Sequence, residues 1–110
     1  MLAKRNRLSK RQFDAFFAKG KRFHFPHCTI IYTPHPEFHG SVVVGKKVTK
    51  RAVKRNTIRR RVYAQLYQQL KTNNQVGVFI VIVKPSYLTL TRGQAAATIA
   101  DNIATVKKST

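Results

Sequence analysis

The spacing of apolar side chains predicts a helix near the N-terminus. Three phenylalanines are spaced three and four residues apart, which is the period of an amphipathic helix. They are Phe13, Phe16 and Phe17. Ser9 and Gln12 have the spacing of a capping box, in which a hydroxyl and an amide satisfy two backbone N–H groups at a helix start. We therefore expect a helix from Ser9 to Gly20, a glycine suited to the left-handed conformation that often follows a helix.

Alternating or continuous apolar segments predict four β-strands. They are residues 22–25, 28–33, 41–45 and 76–83. Pro26 ends the first strand, and the turn-forming residues 34–40 separate the second from the third. The fourth is apolar throughout, which is typical of a strand in the interior of a sheet.

Two further helices are predicted, one before and one after the fourth strand. Between about Thr49 and Lys71, apolar residues recur at every fourth position. They are Ile58, Val62, Leu66 and Leu70. Thr91 and Gln94 form a second capping box, ahead of an apolar stripe that ends at Val106. The order is α-β-β-β-α-β-α, which predicts a two-layer α/β sandwich of the α+β class. We expect one domain over residues 1–110, with residues 1–7 and 107–110 flexible.

The charge of the chain is strongly unbalanced. It has 22 Lys and Arg against 3 Asp and Glu, a net charge of +19. Such self-repulsion is tolerable chiefly when a polyanion neutralises it, so the partner should be nucleic acid or an anionic membrane. No apolar run reaches the roughly 20 residues of a membrane-spanning helix, and the N-terminus lacks the apolar region of a secretory signal. The single Cys28 fits a reducing compartment. We expect a cytoplasmic protein with no membrane partner.

The positive charge is concentrated in residues 46–61. On a helical wheel of about 100° per residue, Arg55 and Arg59 lie within the apolar arc of the second predicted helix, with Asn56 at its edge. Burying unpaired guanidinium groups is costly, so the first turns of this helix should leave the core and face an open groove. The planar guanidinium group of arginine can bind two phosphate oxygens at once, which favours a phosphate contact over a merely solubilising charge run.

Candidate catalytic groups are few. Asp14, Glu37 and Asp101 lie far apart in the sequence, whereas a two-metal nuclease needs converging carboxylates. The histidines and the cysteine could ligate zinc by type, but their spacing matches no zinc finger. They are His24, His27, Cys28, His35 and His39. We predict no catalytic residue and no metal site in the polypeptide.

The basic segment resembles the signature of a known family. Arg55-Asn56 followed by Arg59-Arg60, and preceded by Lys46-Lys47 after a valine-rich strand, is similar to the Arg-Asn-Arg signature of the bacterial ribonuclease P protein component. The chain departs from the signature at Thr57, where the family usually has arginine, and at Tyr63, where a basic residue is common. The first helix and the second strand also resemble this family.

The resemblance implies a fold like domain 2 of ribosomal protein S5, with a left-handed βαβ crossover. It also implies a protein subunit that binds a catalytic RNA and the 5′ leader of precursor tRNA, and promotes magnesium-dependent removal of the leader. The polypeptide would hold no cofactor alone, Mg²⁺ would belong to the assembled holoenzyme, and no DNA partner is expected. The alternatives are a general or ribosomal RNA-binding protein without leader specificity, and a self-sufficient nuclease.

The resemblance assigns three groups of RNA contacts. Contacts of the signature helix and the preceding turn are Lys46, Lys47, Lys50, Arg51, Lys54, Arg55, Asn56, Arg59, Arg60 and Arg61. The leader-binding cleft would be lined by Phe13, Phe17 and Tyr32. The N-terminal basic contacts would be Arg5, Arg7 and Arg11.

Overall fold

Three α-helices and a four-stranded sheet make up the part of the chain, residues 8–73 and 76–108, that the computed structural model describes. In chain order they are α1 (Lys10–Lys19), β1 (Lys21–His24), β2 (Cys28–Thr33), β3 (Phe38–Val43), α2 (Ala52–Asn73), β4 (Gly77–Val83) and α3 (Arg92–Lys108). The predicted order and the α+β class are confirmed. A 3₁₀ helix over Pro85–Thr89, which was not predicted, joins β4 to α3.

The sheet has the strand order β1-β2-β4-β3. β2 pairs antiparallel with both β1 and β4, and β3 pairs parallel with β4. The parallel pair is joined by α2, because parallel strands need a long crossover. β4 therefore lies between two strands, which explains why its sequence is apolar throughout.

The two faces of the sheet are covered by different helices. α2 and α3 pack on the face that carries Ile30, Phe79 and Val81, and their apolar residues join these in one buried cluster. α1 packs on the opposite face, where a Cβ at Gly20 would meet Ile31. The core between the sheet and the α2/α3 layer is the larger one, since α1 has no fully buried residue.

Two elements begin three residues away from their predicted starts. β3 begins at Phe38, inside the predicted turn, because pairing with β4 extends it and the backbone N–H of Gly77 donates to the carbonyl of Glu37 at 3.1 Å. α2 begins at Ala52, three residues later than predicted, because the Thr49 hydroxyl accepts from the backbone N–H of Arg51 at 3.3 Å. At the other end of the chain, α3 continues through residues 107–108, which were expected to be flexible.

Both predicted capping boxes are confirmed. At α1 the Ser9 hydroxyl accepts from the backbone N–H of Gln12 at 3.2 Å, and the Gln12 side chain accepts from the backbone N–H of Ser9 at 3.0 Å. Thr91 and Gln94 make the same pair of bonds at α3, at 3.2 and 3.0 Å. These local bonds satisfy helix N–H groups that would otherwise lack partners.

Gly20 has a different role from the one predicted. Its φ of −65° and ψ of 154° are extended, not left-handed. A Cβ at this position would collide with Ile31 Cγ2 and lie only 2.9 Å from the carbonyl oxygen of Phe16. Gly20 is needed because α1 approaches β2 closely where the chain passes from helix to sheet.

Cys28 is a core residue. Burial raises the pKa of its thiol, and the Asn102 side chain donates to its sulfur at 3.3 Å. A thiol held in the protonated form is a poor nucleophile and a poor metal ligand, which fits packing in place of chemistry. Among the described helices, none is long and apolar enough to cross a membrane.

Candidate RNA-binding site

The predicted signature contacts lie on the turn before α2 and on the first three turns of that helix. We call the turn and helix residues predicted to bind RNA, Lys46 to Arg61, the basic surface. All of them are exposed except Arg55 and Arg59, which are half-buried. The first turn of α2 has no acidic residue, so the positive end of the helix dipole adds to the charge.

The basic surface projects beyond the core. Val48 is buried and anchors the turn between β3 and α2, whereas Ile58 is the first buried residue of the helix itself. None of residues 52–57 is buried. The expectation that the first turns of this helix leave the core is therefore confirmed, and backbone and side chains there are accessible to an extended partner.

Arg55 and Arg59 are each held by a neutral acceptor. Arg55 Nη1 donates to the backbone carbonyl of Thr49 at 2.9 Å and thereby fastens the turn to the helix. Arg59 Nη1 donates to Asn56 Oδ1 at 3.0 Å in an exposed position. Neither charge is neutralised by these bonds, so both remain available to an anion while their orientations are restricted.

The two departures from the family signature have structural roles here. The Thr57 hydroxyl donates to the carbonyl of Val53 at 3.1 Å, so this short side chain stays against its own helix. The Tyr63 hydroxyl accepts from the backbone N–H of Val42 at 3.3 Å, in a buried position. Tyr63 thus satisfies a backbone N–H donor of the edge strand β3. A lysine or arginine could not do so, because its side chain has no hydrogen-bond acceptor.

The bond between Tyr63 and Val42 also shows which side of α2 carries the signature residues Asn56 and Arg59. Asn56, Arg59 and Tyr63 lie on the same side of α2, since they are spaced three and four residues apart. Tyr63 reaches the edge of β3, so Asn56 and Arg59 lie on the side of the helix that faces this edge. This part of the basic surface therefore lies next to β3, at the edge of the sheet.

Phe13 and Phe17 form a second surface on α1. Their rings stack with centroids 5.6 Å apart, and both are half-buried. Arg22 lies over the Phe17 ring at 4.7 Å and its Nη2 donates to the Phe17 carbonyl at 3.4 Å. We call Phe13, Phe17 and Arg22 the aromatic surface. Arg22 was not predicted as a site residue, although strand alternation in β1 and the short α1–β1 connection place its side chain on the α1 side.

The prediction that Tyr32 faces these phenylalanines is wrong. Its neighbours Ile31 and Thr33 point towards Gly20 at the end of α1, and successive strand residues alternate between faces. The Tyr32 ring instead packs against Phe79, 5.0 Å between centroids, on the face covered by α2 and α3. A cleft beside α1 therefore cannot include this ring.

The remaining candidates are dispersed. Arg5 and Arg7 lie outside the described residues, and Arg11 is exposed on α1. His27 contacts Ser86 Oγ at 2.9 Å. His35 and His39 lie together before and on β3, with ring centroids 4.9 Å apart, and His39 Nε2 lies 3.8 Å from a Glu37 oxygen. In the described ranges, no three His, Cys, Asp or Glu side chains are arranged to hold a metal ion.

Comparison with known proteins gives one consistent family. A family model described as Ribonuclease P matches residues 2–107. The ribonuclease P protein component of a Nitratiruptor species is 34% identical over 80 residues, covering 73% of this chain and 72% of that protein. The ribonuclease P protein component of a Pseudanabaena species is 35% identical over 96 residues, covering 79% and 83%.

Solved structures agree in fold. A Staphylococcus aureus RNase P protein mutant superposes with a TM-score of 0.84 at 21% identity, over 94% of this chain and 90% of that one. Another Staphylococcus aureus RNase P protein structure gives a TM-score of 0.67 at 17% identity, over 94% and 93%. With the family match extending over nearly the whole chain, including the basic surface and the aromatic surface, this protein belongs to the ribonuclease P protein family.

Proposed function

We propose that this chain is the protein subunit of a bacterial ribonuclease P. It binds the catalytic RNA through the basic surface and the 5′ leader of precursor tRNA through the aromatic surface. The observation that carries the proposal is that the signature cations stand on helical turns that project beyond the core, in a stretch of sequence that contains no carboxylate to pair them. Family membership supports the same assignment.

The basic surface is suited to docking on folded RNA. Arginine presents a planar fork that matches two phosphate oxygens, and lysine adds a compact charge. The bond from Arg59 to Asn56 and the bond from Arg55 to the Thr49 carbonyl restrict these side chains before the RNA arrives. Less conformational entropy is then lost on binding.

The aromatic surface is suited to single-stranded RNA. Stacked rings beside a cation hold bases without sequence preference, because every base has a π-face. Phe13 and Phe17 offer such rings, and Arg22 provides a cation at the same place. Binding of the leader at this surface would favour precursor over mature tRNA, since only the precursor carries the leader.

The polypeptide does not supply the chemistry in this proposal. Asp14, Glu37 and Asp101 lie on α1, before β3 and on α3, so they belong to separate elements. The described residues also offer no cluster of metal ligands. Cleavage is therefore assigned to the catalytic RNA and its Mg²⁺ ions, and the protein contributes binding and positioning.

The proposal is tested by cleavage of a precursor tRNA at low Mg²⁺. We expect efficient cleavage only when a bacterial ribonuclease P RNA and this protein are both present, and none with the protein alone. Tight RNA binding without any rescue of cleavage would instead indicate a general RNA-binding protein. Cleavage by the protein alone would indicate a self-sufficient nuclease.

Phe17→Leu is expected to reduce the preference of the holoenzyme for precursor over mature tRNA by about fivefold or more, the effect of losing one stacked base. Leucine keeps much of the apolar volume, so the fold should survive. The measurement is the ratio of the two dissociation constants, together with the Tm of the variant.

A matched control for this variant is Phe23→Leu. Phe23 is also half-buried and has its own cation, Lys21, 5.3 Å from the ring centroid, but it lies on the opposite face of β1. We expect it to leave the tRNA preference unchanged. An equal loss of preference in both variants would show that the aromatic surface is not the leader site.

A further inference from the structure

A groove lies on the side of α2 away from β3. It is bounded by the first turns of α2, the 3₁₀ helix over Pro85–Thr89 and the first turn of α3, and its volume is about 490 Å³. A smaller cavity of about 140 Å³ continues it between α2 and α3. A volume of several hundred cubic ångströms is typical of pockets that hold a small organic molecule.

The lining of the groove combines an apolar floor with a cationic rim. Ile58, Tyr87 and Ala95 form buried parts of the floor. Val53 and Leu88 also line it, although their exposed fractions are 81% and 42%. The rim carries four cations and no acidic residue. They are Arg51, Lys54, Arg61 and Arg92.

These cations are not explained by the stability of the helices that carry them. Arg51 and Lys54 flank the start of α2, and Arg92 is the first residue of α3. Cations at helix N-termini are opposed by the helix dipole, and neither first turn contains an acidic residue to compensate. An anion supplied from outside would relieve this repulsion.

The occupant must match both halves of the lining. A phosphate would satisfy the cations, and a planar apolar body would cover the exposed Val53 and Leu88 side chains. A nucleotide has both parts in one residue. A base still stacked in an RNA helix could not reach the floor, so the nucleotide must be turned out of its stack.

We propose that this groove binds one unstacked nucleotide of the bound RNA, with its base against Leu88 and its phosphate between Arg61 and Arg92. This inference rests on the proposed function, in that RNA is the partner. It adds a binding site on the side of α2 opposite Asn56 and Arg59. The catalytic RNA would then contact α2 both at Asn56 and Arg59 and, on the opposite side, at the groove.

The first test is titration of the isolated protein with adenosine 5′-monophosphate, followed by the NMR signals of the Leu88 and Leu90 methyl groups. We expect saturable shifts with this nucleotide and at least about fivefold weaker binding of ribose 5-phosphate, which lacks the base. Equal binding of the two compounds, or no shift of these methyl groups, would overturn the proposal. A stronger response to an acidic amphipathic peptide would assign the groove to a protein partner and also overturn it.

Two variants extend the test to the complete RNA. Leu88→Ser and Arg92→Gln should each weaken nucleotide binding, and binding of a bacterial ribonuclease P RNA, by about fivefold or more. Val76→Ser is the control for the first, because Val76 is 48% exposed and lies outside the groove lining. Lys108→Gln, at the other end of α3, is the control for the second.

The results separate this inference from the proposed function. If the unaltered protein binds the RNA and supports cleavage while Leu88→Ser and Arg92→Gln bind as tightly as their controls, the groove proposal fails and the proposed function stands. If the unaltered protein neither binds the RNA nor supports cleavage, the proposed function fails.

Discussion

Replacing both Arg59 and Arg60 with glutamine is expected to lower the affinity for a bacterial ribonuclease P RNA by at least about tenfold at physiological salt. Both residues belong to the basic surface, and Arg60 is exposed. Each cation that contacts a phosphate displaces condensed counterions, so its loss weakens binding and also reduces the dependence on salt. For two lost contacts, the slope of log affinity against log salt should become shallower by about two units.

The control for this pair replaces Lys19 and Lys108 with glutamine. Both are exposed lysines, at the C-terminal ends of α1 and α3, so the net charge changes by the same amount. We expect a small loss of affinity and little change in slope. Circular dichroism should show an intact α2 in the Arg59 and Arg60 variant, since neither side chain is buried. Matching slopes in the two double variants would mean that net charge, not the signature, drives binding.

Gly20→Ala is expected to destabilise the protein by about 1–3 kcal/mol, the usual effect of overpacking at a close contact. The new Cβ would collide with Ile31, lie 2.9 Å from the Phe16 carbonyl and lie 3.1 Å from Thr33 Oγ1. Because Ile31 is buried in β2 and has no space to move into, the C-terminal end of α1 must move away from β2. A domain of about this size loses roughly 4–8 °C of Tm per kcal/mol.

The movement of α1 in Gly20→Ala should also affect one RNA contact and not the other. α1 carries the aromatic surface, whereas the basic surface is on α2, so we expect weaker discrimination of precursor tRNA and unchanged binding of the catalytic RNA. Gly93→Ala is the control, since no atom beyond its chain neighbours and the nearby backbone of its own helix lies within 4 Å of its Cβ position, and helix formation favours alanine over glycine. A Tm of Gly20→Ala equal to that of Gly93→Ala would contradict the close approach of α1.

The elements that were predicted correctly depend on interactions close in sequence. The capping boxes at Ser9 and Thr91 involve residues three positions apart, so the sequence contains both partners. The strand over Cys28–Thr33 was predicted at its observed bounds because proline and turn residues flank its β-branched run. The excess of arginine on the inward arc of α2 correctly indicated that its first turns leave the core.

The elements that were predicted wrongly depend on partners far along the chain. Phe38 begins a strand because β4 pairs with it, although the residues before it favour a turn. Tyr32 was assigned to the cleft because it is an aromatic residue on the second strand. Whether its side chain faces α1 depends on which face of the sheet α1 covers, and the sequence does not show this. The sequence shows only that Tyr63 stands where the family commonly has a basic residue. The structural role of this tyrosine is its bond to Val42, a residue on another element.

The sequence by itself determined the charge of this protein, the order of its elements and the helix on which the family signature lies, because these follow from composition, periodicity and short motifs. Only the tertiary structure decided which face of the sheet each helix covers, that Arg22 joins Phe17, and that Leu88 and Arg92 meet the start of α2 in one groove. The physical reason is that such contacts join side chains from separate elements, and their positions are set by the packing of the whole core.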